Sequence, residues 1–251
     1  MRQNRFMNSA GVTLLELMIA IAVVSIVSVA IYTTYQSQVR SQIIQDVSLE
    51  LQQGLRGALS IMERELRSAG SDPTGTANAT ILVATADEFH FNRDLTGGQA
   101  DGADNDNDGV VDNPEESRYA DGDTNDDNED IRYAINANGH LGRETCRLVN
   151  GIQNCSNLQP LLDDVDALNF VYLDRTGAPI AAPVAAAQRN NIRHVQVTVV
   201  VRSAQSDRGL IGRHTDTVIY RNQQGEVILG AQNDHFRRLS ISTTFSCRNL
   251  G

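Results

Sequence analysis

The chain predicts an α+β fold, one long amino-terminal α-helix packed on an antiparallel β-sheet domain. Three observations predict it. The run from Val12 to Ile31 is apolar with a single charge, Glu16. From Val39 to Ala69 the apolar positions recur every three or four residues, the period of a helix with one buried stripe. After Ile81 the pattern changes to short β-rich segments punctuated by Gly, Asn and Pro. One helix followed by many strands places the helix on one face of an antiparallel sheet.

The amino terminus, MRQNRFMNSAG, is polar and carries Arg2 and Arg5 but no acid. The twenty residues after Gly11, at about 1.5 Å each, span a hydrocarbon core of about 30 Å. Arginines on the amino-terminal side put that side in the cytoplasm. A secretory signal has its small-residue cleavage site after the apolar run. Here the small pair Ala10-Gly11 precedes it. Removal of a leader after Gly11 and an uncleaved membrane anchor both fit, and periodicity does not separate them. Glu16 sets a second question. A carboxylate in apolar surroundings costs several kcal/mol unless it is paired. A position near a helix amino terminus offsets only about 0.3–1 kcal/mol of that.

The stretch GVTLLELMIA resembles the class III signal of type IV prepilins and type II secretion pseudopilins. Gly11, Val12, Thr13, Leu14 and Glu16 carry the match, with Val12 where the family usually has Phe. The resemblance implies that a prepilin peptidase cuts after Gly11 and methylates Val12. It implies that Glu16 faces the positive amino terminus of a neighbouring subunit, which supplies the cation this carboxylate needs. Residues 1–11 are then a leader peptide, 12–35 a transmembrane and filament-core half-helix, and 36–70 an amphipathic half-helix.

In that second half the stripe is Val39, Ile43, Val47, Leu51, Leu55, Leu59, Met62, Leu66 and Ala69, with Glu63 and Arg67 as a favourable i,i+4 pair. Gly54 and Gly57 are places where the helix is expected to bend. Gly70 and Pro73 stop it. Residues 71–251 form the β-rich domain. Its candidate strands are TILVA, EFHFN, IRYAI, ALNFVYL, HVQVTVVV, DTVIY and LSISTTF.

CRLVNGIQNC is a hairpin signal, with Asn150-Gly151 suited to a type I′ turn. Counting outward sets Cys146 opposite Cys155 as a non-hydrogen-bonded pair, about 4.5 Å apart at Cα and within disulfide range. Cys247 is left over. The pieces ERELRSAG, LLDDVDALNFVYLDRTG, NIRHVQVTVVVRS and RRLSISTTFSCRNL are similar to the minor pilin W (PilW) family. That resemblance implies the type IV pilin-like fold. J-type pseudopilins share the layout and remain an alternative.

The formal net charge is −10, and residues 101–130 carry thirteen acids against Arg118 alone. Acidity thus belongs to an insert, and nucleic acid is excluded as a main partner. Within it DNDNDGVVDNPE, 104–115, fits the twelve-residue calcium loop. Asp104, Asp106 and Asp108 take positions one, three and five, and Gly109 the sharp turn at six. The Val110 carbonyl takes seven, Asp112 nine and Glu115 twelve. Hard oxygen donors at this spacing suit Ca2+, whereas zinc prefers nitrogen or sulfur. The flanks are not helices and Pro114 lies inside the loop, so the expectation is a calcium loop without an EF-hand's helix pair. A second stretch, DGDTNDDNED from Asp121, repeats part of the pattern without the glycine.

The five histidines are scattered, no cysteine pair has CxxC spacing, and no catalytic motif appears. The chain is read as no enzyme. All 21 basic residues are arginine, which excludes pilus cross-linking through lysine isopeptide bonds. The resemblances imply a minor pilin, an initiation or tip-proximal structural component of a type IV pilus. They place it in the inner membrane with its amino terminus cytoplasmic and its domain periplasmic, and then in the extracellular pilus. The implied partners are the prepilin peptidase, other minor pilins, the major pilin, the inner-membrane assembly platform and a tip adhesin. A calcium-dependent adhesin module on a pilin stem is the competing reading.

Overall fold

The computed structural model describes residues 12–149, 152–207 and 214–250; the leader with Gly11 and the turn pair Asn150-Gly151 lie outside them. The chain divides into two units, Met1–Asp46 and Val47–Gly251. Helix α1 (Leu14–Arg67) runs through both.

In the first unit α1 starts two residues later than the apolar run suggests, because Thr13 caps it. The Glu16 amide donates to Thr13 Oγ1 (3.3 Å), and the Thr13 amide donates back to a Glu16 carboxylate oxygen (2.9 Å). This reciprocal pair is a capping box. From Val12 to Asp46 no described residue is buried. Leu14, Met18, Ile26 and Ile31 are each more than 60% exposed.

In the second unit the stripe goes inward from Leu55: Leu55, Leu59, Met62, Leu66 and Ala69 are buried. Gly54 lies inside the unbroken helix and has a packing reason, since a Cβ there would sit 2.9 Å from Leu162 Cδ1. At the helix end Gly70 adopts φ 71° and its amide donates to the Asn92 carbonyl (2.9 Å). A Cβ on Gly70 would meet Leu250 at 2.3 Å, so both backbone conformation and space require glycine here.

Among the described residues twelve strands follow. A first sheet runs β1 (Ile81–Ala84), β2 (Glu88–Asn92), β3 (Asp130–Ile135), β4 (Leu141–Val149), β5 (Ile152–Cys155), with β6 (Gln159–Leu162) also on β4. A second has β12 (Arg238–Ser246), β9 (His194–Arg202), β7 (Val165–Leu173) and β8 (Pro179–Ile180) in that order. β10 (Tyr220–Arg221) and β11 (Val227–Leu229) form a small pair. Every pairing is antiparallel. The core joins the α1 stripe to Phe89, Phe91, Tyr133, Phe170, Tyr172 and the alternate valines Val195, Val197 and Val199.

DTVIY is a correction. Asp216 makes one bridge to Asp234, and the ladder begins only at Tyr220. An ion cluster holds that segment: buried Arg238 meets Asp166, Asp216 and Asp234 at 2.5, 2.9 and 2.6 Å. Tyr220 donates its hydroxyl to Asp216 (3.1 Å).

Candidate functional site

Two places in the chain carry chemistry that packing alone does not explain: the head of α1 and the acidic insert. At the head, Glu16 has one local job, the capping box with Thr13. Val12 is 77% exposed next to it. By length and composition α1 is apolar enough to cross a membrane, and the apolar window is unburied.

The insert branches from the end of β2 and returns into β3. Its first loop is organised by its own backbone. The Asp108 amide donates to Asp104 (3.1 Å) and Asp106 (3.1 Å), the Gly109 amide to Asp104 (2.9 Å), and the Val110 amide to Asp108 (2.7 Å). Gly109, at φ 90°, and Asn107, at φ 58°, make the tight turn. Three amides thus hold three carboxylates, and oxygens of Asp104, Asp106 and Asp108 lie within 4.8 Å of one another. Self-repulsion and burial raise the Asp106 carboxyl above its ordinary value, with desolvation the larger cause and Asp108, Glu116 and Asp104 adding to it.

The other three residues of the predicted set are not in this cluster. The Val110 carbonyl accepts from Asn113 Nδ2 (3.3 Å), and Asp112, at φ 57°, turns its carboxylate to the Gly102 amide (2.8 Å). Glu115 is exposed at the start of a 3-10 helix, Pro114–Arg118. The carboxylate beneath the loop is instead Glu116, fully buried, accepting from the Asn105 amide (2.6 Å) and the Asn113 amide (2.8 Å). Asn113 and Glu116 form a capping box. The N-P-E-E spelling, an N-cap residue with Glu three positions on, is the signal that identifies Glu116 in the sequence.

The second stretch is built differently. Glu129 and Asp94 are both fully buried. Glu129 accepts from the amides of Leu95 (2.7 Å), Thr96 (2.9 Å) and Asp126 (3.3 Å). Asp94 accepts from the amides of Asp121 (3.2 Å) and Gly122 (3.1 Å) and from Thr74 Oγ1 (3.0 Å). Burial pushes both carboxyls up, and it also pushes up Asp126, which Asp121 and Asp123 repel. The Asn128 carbonyl takes Arg93 Nε (3.1 Å), and Asn128 Oδ1 takes Arg143 Nη2 (3.0 Å). Arg143 also meets Glu65 near the end of α1 at 2.9 Å.

Cys146 and Cys155 are bonded, Cα to Cα 3.9 Å, in the register counted from the turn. Arg147 on that hairpin lies 3.8 Å from Asp126. Cys247 is a buried free thiol whose pKa burial raises to about 12. It is inert core.

Residues 6–32 match the model of the prokaryotic N-terminal methylation motif. A solved structure, the type IV-like pilin TTHA1219 from Thermus thermophilus, is similar in fold with a TM-score of 0.50 at 14% identity. The alignment covers 80% of this chain and 97% of that one. No curated protein matches. The long amino-terminal helix and antiparallel sheet domain are thus a type IV pilin-like fold.

Proposed function

We propose that the chain is a minor pilin, a structural subunit that initiates a type IV pilus or sits near its tip. One observation carries the reading: an unburied apolar helix, headed by Glu16 inside a methylation motif, precedes a pilin-like domain. An apolar surface of that size is stable only in lipid or against other helices. On this reading a prepilin peptidase removes residues 1–11 after Gly11 and methylates Val12. The subunit waits in the inner membrane with its domain in the periplasm. It then joins other minor pilins, the major pilin and the assembly platform, and presents its tip to an adhesin. Glu16 exchanges its contact with its own Thr13 amide for a neighbour's amino terminus.

The insert adds a calcium site to this reading. Asp104, Asp106 and Asp108 would hold the ion, and their preset carboxylates fit a hard divalent cation. Val110, Asp112 and Glu115 would complete the set after a local turn. The ion would neutralise a segment of like charges.

Deletion of the gene tests the first part. Loss of surface pili with secretion intact supports a minor pilin. Loss of secretion with pili intact assigns the chain to a pseudopilin filament instead. Glu16→Ala is expected to insert normally and to be scarce in filaments. For the insert, calorimetry of the full chain in detergent is expected to show calcium-dependent heat that Asp104→Ala with Asp108→Ala removes.

A further inference from the structure

We propose that the free edge of β12 is a docking strand for an extended segment of a different polypeptide, one that is neutral along its middle and acidic at its amino-terminal end. The inference does not depend on the pilin reading. β12 is the outer strand of its sheet. It pairs with β9 over nine consecutive residues, Arg238 opposite Arg202 to Ser246 opposite His194, without a register shift. Such an edge offers a row of amides and carbonyls to any strand that reaches it.

The ladder shows which groups are free. Just outside the strand the Ser203 amide donates to the Arg237 carbonyl (2.8 Å), and the Cys247 amide donates to the Arg193 carbonyl (2.9 Å). Odd-numbered residues of β12 therefore turn their backbone groups to β9, because bonded pairs alternate along an antiparallel ladder. The amides and carbonyls of Ser240, Ser242, Thr244 and Ser246 face outward. Among the described residues no other strand pairs with them.

Natural sheets blunt such edges with charge, proline or a bulge. Between Leu239 and Ser246 the sequence LSISTTFS has none of these. The faces of the strand are already sorted. Leu239 and Ile241 are only partly buried against the core, and an added strand with apolar residues at alternate positions would cover their rim. The opposite face carries the hydroxyls of Ser240, Ser242, Thr244 and Ser246. Four outward amide–carbonyl pairs at two-residue spacing match only an extended chain.

Charge at the two ends selects the occupant. Arg238 is neutralised by three aspartates, and Arg237 by Asp207 at 2.8 Å. Arg248, just past the other end, is exposed. The antiparallel partner's amino-terminal end lies beside Arg248, so an acid belongs there. A second copy would set Arg248 of each strand beside Arg237 and Arg238 of the other, which Asp207, Asp166, Asp216 and Asp234 already hold, and the concentration arm of the test below distinguishes it.

The test uses the full chain in detergent and two synthetic nonapeptides, Glu-(Val-Thr)4 and Arg-(Val-Thr)4, with amide exchange read residue by residue. The glutamate peptide is expected to slow exchange at Ser240, Ser242, Thr244 and Ser246 at least tenfold and to bind more tightly than the arginine peptide. Arg248→Glu is expected to reverse that preference. N-methylation of alternate peptide amides should abolish the protection. Ser242→Pro removes an outward amide without touching the β9 ladder and should weaken binding tenfold or more. Ser242→Ala keeps the amide and should bind like the parent, which separates strand pairing from misfolding. Absence of protection, equal binding of the N-methylated peptide, or edge amides that protect themselves as chain concentration rises would each overturn the proposal. The last outcome would assign the edge to a second copy.

Discussion

The insert contains two acidic stretches of similar composition that the fold treats in opposite ways. In the first, 104–115, the converging carboxylates are fixed by amides of the same loop and lie at the surface. In the second, 121–130, buried Glu129 and Asp94 reach across to residues far away in sequence and tie the stretch to the domain. A buried carboxylate that satisfies distant backbone amides is structural, because each of those amides would otherwise lose a partner. Carboxylates that only organise one another leave their remaining lone pairs for something else. Acid content alone does not distinguish these cases; the donors do.

The largest expected effect breaks the second stretch. Glu129→Ala leaves the Leu95, Thr96 and Asp126 amides without their acceptor, and each unsatisfied buried group costs about 1–3 kcal/mol. Denaturant unfolding is expected to show a loss of about 3 kcal/mol. Asp104→Ala with Asp108→Ala should change stability in chelator by no more than about 0.5 kcal/mol, the usual range for exposed sites. Equal losses from the two variants would erase the distinction.

Calcium should close most of that gap. At a hundred times its dissociation constant the ion stabilises the unit that binds it by about 2.7 kcal/mol. That gain is expected to vanish in the Asp104→Ala, Asp108→Ala variant. It should persist in Asp121→Asn with Asp123→Asn. Loss of the calcium effect in the second variant would move the site to the wrong stretch.

Next in size is the disulfide. The loop closed by Cys146 and Cys155 is short, and such a bond contributes about 2–3 kcal/mol on the loop-entropy account. Arg147 on this hairpin faces Asp126, and Asp130 pairs with Cys146 in the ladder. Cys155→Ser is therefore expected to speed amide exchange across 121–130 while exchange across 104–115 stays at its parent rate.

The residues explain how much of this was legible beforehand. The α1 stripe, the hairpin CRLVNGIQNC and the Asp104-Asp106-Asp108 spacing are local patterns, and local patterns are what a sequence displays. The Thr13–Glu16 and Asn113–Glu116 boxes are equally local, but each overlaps a more conspicuous motif: the methylation signal at one and the calcium spacing at the other. Glu129, Asp94 and the Arg238 cluster were not legible, because their partners are far away in sequence. DTVIY shows the reverse error. Its β-branched residues promise a strand, yet Asp216 serves Arg238 and Tyr220 rather than a ladder. Val218 and Ile219 are left about half exposed.

The smallest expected effect is a dependence on pH that should appear in one stretch and not in the other. Burial raises the carboxyls of Asp94, Asp126 and Glu129 above their ordinary values of 3.8, 3.8 and 4.5. A carboxyl raised in the folded state binds its proton more tightly there than in the unfolded chain. Its contribution to stability is therefore full below the unfolded pKa and is lost as pH rises through the folded one. Carboxyls of the opposite kind, such as Asp234 at about 2 and the hydrogen-bonded Asp72 and Asp174, lose their contribution only as pH falls below about 4. Above those ordinary values the raised groups should dominate. In chelator, amide exchange across 121–130 is thus expected to slow as pH falls toward them, after correction for intrinsic rates. Across 104–115 the raised Asp106 lies at the surface, where solvent screens it, so little trend is expected. With calcium present the first stretch should acquire a trend of opposite sign, because protons compete with the ion for the same oxygens. A first stretch that tightens with acid in the presence of calcium would show that its carboxylates hold no ion.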